Sequence, residues 1–120
     1  MKFPLTLAAL AAGLATSAVA APPSGQQVFE QRCTICHSLQ PAPGKMGPPL
    51  AGVVGRKAGT APGFAYSAAL KGSNITWTPE QLDAFIKAPG QKVPGTKMLL
   101  GAPDDAQRAA VIQYLTSVKK

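Results

Sequence analysis

The feature that most constrains this chain is the pentapeptide Cys33-Thr34-Ile35-Cys36-His37, which has the form C-x-x-C-H. It contains both cysteines and the single histidine of the 120-residue sequence. C-x-x-C-H is the attachment signature of c-type haem. Two cysteines at i and i+3 of a helix lie on one face, so both sulfurs can form thioethers with the vinyl groups on one edge of a porphyrin. The motif therefore predicts one haem c, bound covalently through Cys33 and Cys36, with His37 as an iron ligand.

Other uses of this motif fit the sequence less well. A thioredoxin-like dithiol accompanies a βαβ pattern, which the sequence does not show. A structural zinc site needs a fourth nitrogen or sulfur ligand, and the chain has no further Cys or His. A plain disulfide or a free dithiol is the remaining alternative to haem attachment.

The first twenty residues have the features of a secretory signal peptide. Lys2 supplies the basic start, residues 5–14 form a short apolar segment, and Ala18-Val19-Ala20 is a small-residue cleavage motif. An uncleaved membrane anchor is the alternative, but the apolar segment is short for a bilayer span. We therefore expect residues 1–20 to be removed by cleavage after Ala20. Residues 21–120 would then form one domain in a bacterial periplasm.

A sixth iron ligand is needed if the haem is low-spin, and without a second histidine the thioether of a methionine is the leading choice. Met1 would leave with the signal peptide. Met46 lies only nine residues after His37, a short distance for crossing to the opposite face of the haem, and we expect it to fill core space instead. Met98 follows the second predicted helix, where a loop can cover that face. The sequence therefore favours Met98.

The first and last of three predicted helices are recognised at their N-termini. The helix over residues 24–36 begins with Ser24, which forms a capping-box pattern with Gln27. The helix over residues 104–118 has two acidic residues at its positive end. Its apolar stripe has helical spacing and consists of Val111, Tyr114, Leu115 and Val118.

The second main helix lies between them. Thr78 is its predicted N-cap, Pro79 its first residue and Gln81 the reciprocal cap. The helix would end before Pro89 and bury Leu82, Phe85 and Ile86. A short helical turn is also indicated over residues 67–71, and no alternating pattern indicates a strand.

A segment rich in glycine and proline separates the first two main helices. Residues 39–67 contain six Gly and five Pro and show no sustained periodicity. A compact domain rarely has a structureless loop of this length unless the loop wraps something. Three helices alone would also leave a thin core. Both observations predict that a large apolar ligand completes the core, as a haem would.

The charge balance favours an anionic partner. Twelve Lys and Arg oppose five Asp and Glu, a formal charge of +7, of which Lys2 would leave with the signal peptide. Two haem propionates would offset part of the remainder, so the balance indicates acidic patches on redox proteins rather than nucleic acid. No apolar run after the signal is long enough to span a bilayer. We expect a monomer without stable membrane insertion.

Taken together, these elements resemble the small mono-haem cytochrome c family, in its mitochondrial-type or bacterial periplasmic form. The resemblance extends from Gly25 to about Leu115 and implies an all-α cytochrome c fold, with three main helices and long loops wrapped around one covalently bound haem. Its elements occur in order: Gly25 and Phe29, C-x-x-C-H, G-P-P-L from Gly47, G-R-K-A-G from Gly55, A-P-G-F-A-Y from Ala61, I-T-W at residues 75–77, P-G-T-K-M ending at Met98, and Tyr114.

The resemblance also implies roles for residues outside the motif. The carbonyl of Pro48 would accept a hydrogen bond from His37 and fix its ring. Thr96 would help to position the loop that carries Met98. By the same resemblance, Arg56, Tyr66 and Trp77 would hold the haem propionates, and chemistry supports these roles because a partly buried carboxylate needs a cation and hydrogen-bond donors. The alternatives are a surface arginine and aromatic residues that fill the core.

Some positions depart from the family pattern. Phe85 stands where mitochondrial members usually carry a tyrosine, so a reduction potential cannot be transferred to this chain. The family's ring of lysines around the exposed haem edge is only partial, consisting of Lys45, Lys57, Lys92 and Lys97 with Arg32.

The function implied is that of a one-electron carrier rather than an enzyme. Its partners would be a cytochrome bc complex, a terminal oxidase, a photosynthetic reaction centre or a periplasmic dehydrogenase. A haem enzyme or gas sensor is the alternative class, but it needs an open sixth position, and Met98 argues against it.

Overall fold

The structure is a computed structural model that describes residues 1–18 and 21–120. Residues 1–18 form no helix and are exposed. The predicted cleavage motif includes positions 19 and 20, which lie outside the described residues. Within those ranges no helix is long and apolar enough to cross a membrane. The helices are α1 (Gly25–Val28), which continues as a π-helical segment (Phe29–Cys33), α2 (Ala68–Lys71), α3 (Pro79–Lys87), α4 (Pro89–Lys92) and α5 (Asp105–Ser117).

The first helix ends earlier than its sequence predicts. Its start is as expected, because the Ser24 hydroxyl accepts from the Gln27 N–H and the Gln27 side chain accepts from the Ser24 N–H. The helix then widens, and the Thr34 N–H donates to the carbonyl of Phe29, five residues back, at 3.2 Å. Helical structure stops at Cys33 instead of Cys36. The prediction of a helix through residue 36 is therefore wrong, because the chain leaves the wide turn in a bend.

Only one of the two capping bonds predicted for the N-terminus of the second main helix, α3, is present. The hydroxyl of Thr78 accepts from the Gln81 N–H at 3.2 Å, as predicted. The reciprocal bond is absent, because the Thr78 N–H already donates to the carbonyl of Thr76 at 2.7 Å. The side-chain oxygen of Gln81 is buried without a hydrogen-bond partner. Its predicted role as a reciprocal cap is wrong.

Pro89 does more than end a helix. It also begins α4, which the sequence did not predict, because proline is tolerated at the first position of a helix as well as after the last. Leu82 and Phe85 of α3 are buried as expected, whereas Ile86 is only half-buried at the core's edge. The short α2 is confirmed, with Ser67 as its N-cap.

The first helix packs across α5 through a glycine contact. A Cβ at Gly25 would lie 2.1 Å from the carbonyl oxygen of Ala110 and 2.6 Å from Cβ of Tyr114. Any larger residue would separate the two helices. The rings of Phe29 and Tyr114 meet beside this contact with centroids 5.7 Å apart. The core of α5 consists of Val111, Ile112 and Leu115, so Ile112 joins the predicted stripe while Tyr114 and Val118 are half-buried at its margin.

Turns and a few long-range hydrogen bonds order the glycine- and proline-rich segment. Trp77 pairs with it twice: its carbonyl accepts from the Gly55 N–H and its N–H donates to the carbonyl of Arg56, both at 2.8 Å. A single isolated antiparallel bridge joins Lys57 and Thr76 in the described part of the chain. The segment therefore returns to the start of α3. The prediction of an all-α protein with long loops is confirmed.

Candidate haem site

The ring of His37 is held in one orientation. Its Nδ1 lies 2.8 Å from the carbonyl oxygen of Pro48. A carbonyl can only accept, so Nδ1 carries the hydrogen and the neutral ring presents its lone pair at Nε2. Burial lowers the pKa of His37, the bond to Pro48 opposes this shift, and the charge of Lys45 adds to it. The lowered pKa favours the neutral form of His37, which is the form that binds iron.

Gly47 packs directly against the ring of His37. A Cβ at this position would lie 2.3 Å from Cε1 and 2.8 Å from Nε2 of His37, far inside van der Waals contact. The N–H of Gly47 donates to the carbonyl of Cys36 at 2.8 Å, and this bond holds Gly47 next to the C-x-x-C-H motif. The close approach of the imidazole is what requires glycine here.

Cys33 and Cys36 lie in a tight turn and form no disulfide with each other. The carbonyl of Cys33 accepts from the N–H of Cys36 at 3.1 Å and from the N–H of His37 at 2.8 Å. This turn, rather than the predicted helix, links the backbones of the three residues. Burial raises the pKa of the Cys33 thiol, and the charge of Arg32 partly offsets this. Two half-buried cysteines followed directly by a half-buried histidine are the donor set that covalent haem requires.

The two internal methionines, Met46 and Met98, differ in burial. Met98 is half-buried and packs against the core. Its N–H donates to the hydroxyl of Thr96 at 3.2 Å, and Thr96 is itself buried, with its N–H on the carbonyl of Val93 at 3.0 Å. Thr96 therefore lies where it can position Met98.

Met46 does not fill the core, so that prediction is wrong. Its side chain is 73% exposed. The neighbouring residues explain this: the ammonium of Lys45 donates to the carbonyl of Thr34 at 2.8 Å, and Gly47 packs against His37. With both neighbours directed towards the motif, Met46 points outwards.

The three expected propionate ligands occupy different environments. Trp77 is buried and packs on Phe85 with ring centroids 4.9 Å apart. Arg56, joined to Trp77 through the backbone, is half-buried and uses Nη2 to donate to the carbonyl of Pro49 at 3.0 Å. The hydroxyl of Tyr66 accepts from the N–H of Ala61 at 3.0 Å, which leaves its own hydrogen available to a carboxylate. These groups fit a cofactor that carries acidic side chains.

One buried charge escaped the sequence analysis. The side chain of Arg108 on α5 is only 4% exposed and forms ion pairs with Asp83 and Asp105. A signal was available, because Arg108 lies three residues before Val111 and seven before Leu115 and so extends the apolar stripe. A charged residue on a buried face needs partners, which the stripe alone does not reveal.

Comparison with known proteins agrees with the site. A family model described as cytochrome c matches residues 23–119. The cytochrome c2 of Blastochloris viridis is 46% identical over 116 residues, covering 95% of this chain and 91% of that protein. The structure of cytochrome cH from Methylobacterium extorquens has 41% sequence identity and a TM-score of 0.72, covering 78% of this chain and 94% of that one. Cytochrome c2 from Rhodospirillum centenum has 35% identity and a TM-score of 0.71, covering 80% and 96%.

These matches span nearly the whole region from the first helix to α5. The all-α architecture is the cytochrome c fold. The cofactor is haem c, bound covalently through the cysteine pair Cys33 and Cys36. The chain belongs to the cytochrome c family of electron-transfer proteins.

Proposed function

We propose that this chain is a periplasmic one-electron carrier whose haem iron is bound by His37 and Met98 in both oxidation states. The haem supplies the Fe(II)/Fe(III) couple. One observation carries the proposal: His37 has Nδ1 occupied by Pro48, while Met98 is half-buried on a loop fixed by Thr96. A second candidate ligand, Met46, faces solvent.

Two iron ligands would decide what the protein can do. His37 and Met98 would together hold the iron and leave no position for a substrate, so the haem would supply electron transfer rather than substrate chemistry. Methionine–histidine ligation and an apolar pocket favour the reduced state, and this makes the carrier relatively oxidising. The apolar wall formed by Trp77 and Phe85 supports this direction.

The ligand assignment is tested by paired methionine variants. The ferric protein should show the weak charge-transfer band of methionine bound to ferric haem. Met98→Ala should abolish the band, whereas Met46→Ala should retain it, because Met46 is exposed. Absence of the band from the unaltered protein, or its loss only in Met46→Ala, would contradict the assignment.

The export signal is tested on the protein purified from a periplasmic fraction. Lys2, the short apolar segment and Ala18-Val19-Ala20 support cleavage after Ala20. Mass spectrometry should then find Ala21 at the N-terminus and one haem added to residues 21–120. A membrane-bound product that retains residues 1–20 would instead support an uncleaved anchor.

The propionate role is tested through the reduction potential. Arg56, Tyr66 and Trp77 supply one cation and two hydrogen-bond donors, and Arg56 is half-buried. Arg56→Gln should lower the potential, because loss of a partly buried cation favours the more positive ferric state. The exposed neighbour Lys57 is the matched control, and Lys57→Gln should change the potential much less. Equal shifts in both variants would contradict a specific role for Arg56.

Docking would depend on the cations near the haem attachment turn and the Met98 loop, residues 93–104. Lys97 and Arg32 are exposed, and Lys92 is half-buried. Their partners would be acidic patches on a cytochrome bc complex, terminal oxidase, reaction centre or periplasmic dehydrogenase. Electron-transfer rates should fall with added salt, and Lys97→Gln should weaken that dependence more than Lys119→Gln. A rate independent of salt would contradict docking by charge.

A further inference from the structure

Arg108 is bound on every side by groups from three parts of the chain. Its Nε donates to Asp83 of α3 and its Nη2 to Asp105 of α5, both at 2.6 Å. Its Nη1 donates to the backbone carbonyls of Ala102 and Pro103 at 3.0 and 3.1 Å. The last two acceptors belong to the Met98 loop. The guanidinium therefore joins this loop to both helices.

Ala102 is the point at which the loop is fixed most firmly. It is buried, and its N–H donates to the carbonyl of Ile86 at 2.8 Å while its carbonyl accepts from Arg108. The preceding Gly101 approaches α3 so closely that a Cβ would lie 2.1 Å from the Ile86 carbonyl oxygen. The loop is thus anchored at Ala102, four residues after Met98, as well as at Thr96, two residues before it.

Little else holds the residues between the two anchors. Leu99 and Leu100 are 82% and 76% exposed, so their side chains contribute little burial. Movement of Met98 away from the core would therefore be limited mainly by Thr96, which precedes it, and by Ala102, which follows it. Loss of the bonds to the Ala102 and Pro103 carbonyls would remove two of the contacts that keep the loop closed.

We propose that Arg108 is a positioning residue that holds the Met98 loop closed and so limits the replacement of Met98 by an external ligand. This inference rests on the ligation by Met98 proposed above. The ion pairs with Asp83 and Asp105 fix the guanidinium, and its planar fork then reaches carbonyls that a lysine could not bind in the same way.

The test is imidazole binding to the ferric holoprotein, followed by loss of the methionine charge-transfer band. Arg108→Gln should raise the apparent imidazole affinity roughly tenfold, the factor expected when hydrogen bonds that favour the closed loop are lost. Arg108→Lys keeps the charge but not the fork, and should give an intermediate increase. If Arg108→Gln does not accumulate as folded protein, the lysine variant carries the test.

Two controls separate positioning from general destabilisation. Val28→Ala removes methyl groups from a fully buried side chain on α1, and its loss of unfolding free energy sets the baseline. Glu80→Gln removes an exposed carboxylate from the same helix, α3, and leaves every bond of Arg108 in place. Both should alter imidazole affinity by less than about twofold.

The outcomes distinguish this inference from the proposed function. An unaltered protein without the methionine band would overturn both. A normal band in the unaltered protein, combined with an Arg108→Gln affinity equal to wild type or no higher than that of Val28→Ala, would overturn only the role of Arg108. Increased affinity in both Arg108 variants, with both controls near wild type, is the predicted result.

Discussion

The segments that carry the two proposed iron ligands are built differently. His37 belongs to a turn closed by Cys33, lies against Gly47 and has Nδ1 bonded to Pro48, so its constraints all come from residues 33–48. Met98 lies on a loop fixed at Thr96 and Ala102, and two exposed leucines follow it. The comparison teaches that the histidine side is fixed locally, whereas the methionine side depends on anchors supplied by α3 and α5.

The largest effect is expected on the histidine side, from Gly47→Ala. The added Cβ would overlap the His37 ring, at 2.3 Å from Cε1, while the backbone bond to Cys36 prevents retreat. We expect a loss of about 3 kcal/mol or more in the free energy of unfolding, with reduced yield of holoprotein. Guanidinium unfolding monitored by haem absorbance measures it.

The matched control for this change is Gly90→Ala. A Cβ at Gly90 would meet no atom within 4 Å, and the residue lies in α4. The substitution should be neutral or slightly stabilising, because alanine favours helix over glycine. Equal destabilisation by the two substitutions would show that the His37 ring is not confined as described.

An intermediate effect is expected on the methionine side, from Thr96→Val. This nearly isosteric change removes the hydroxyl that accepts from the Met98 N–H. It should lower the free energy of unfolding by about 1 kcal/mol. It should also raise the imidazole affinity severalfold, because the loop loses its anchor before Met98. Imidazole titration of the ferric protein measures the change.

Thr34→Val makes the same chemical change on the histidine side. It removes the hydroxyl that donates to the carbonyl of Glu30 at 2.7 Å, on a side where three other constraints hold the ligand. We expect no measurable change in imidazole affinity. An equal increase in imidazole affinity in Thr96→Val and Thr34→Val would contradict the account, because it would mean that the methionine and histidine sides are held equally firmly.

The smallest effect concerns the exposed end of the Arg108 network. The guanidinium holds the pKa of Asp105 below its ordinary value of 3.8, so the ionised carboxylate stabilises the folded state. That contribution is present above the ordinary value and is lost as the pH falls through the lower folded value. Asp105→Asn should therefore be slightly less stable than wild type near neutral pH. The difference should shrink as the pH falls below the ordinary value of 3.8. Unfolding curves at neutral and at acidic pH measure it, and a difference that grows in acid would contradict the sign.

The sequence predicts what depends on neighbouring residues and misses what depends on distant ones. Ser24 and Thr78 are recognisable as N-caps because a cap and the backbone N–H that donates to it lie within one turn. The end of the first helix at Cys33 depends on the turn that closes onto His37, and the lost bond of Gln81 depends on Thr76. Asp105 lies only three residues before Arg108, but Asp83 is 25 residues away, so no local pattern reveals this second carboxylate partner.

The candidate site follows the same rule. Its chemistry was predictable, because C-x-x-C-H is a contiguous motif and Met98 remained after elimination. The exposure of Met46 was not, because it depends on Lys45 reaching the carbonyl of Thr34 and on Gly47 packing under the imidazole. Residue type predicts the candidate ligands, and packing places Met98 rather than Met46 against the core.

Proton NMR of the reduced protein tests the central claim, ligation by His37 and Met98, most directly. A methionine methyl group held against the haem face is strongly shielded by the ring current. The account predicts one strongly upfield three-proton resonance that is present in the unaltered protein and in Met46→Ala and absent from Met98→Ala. No such resonance in the unaltered protein, or its persistence in Met98→Ala, would contradict the account.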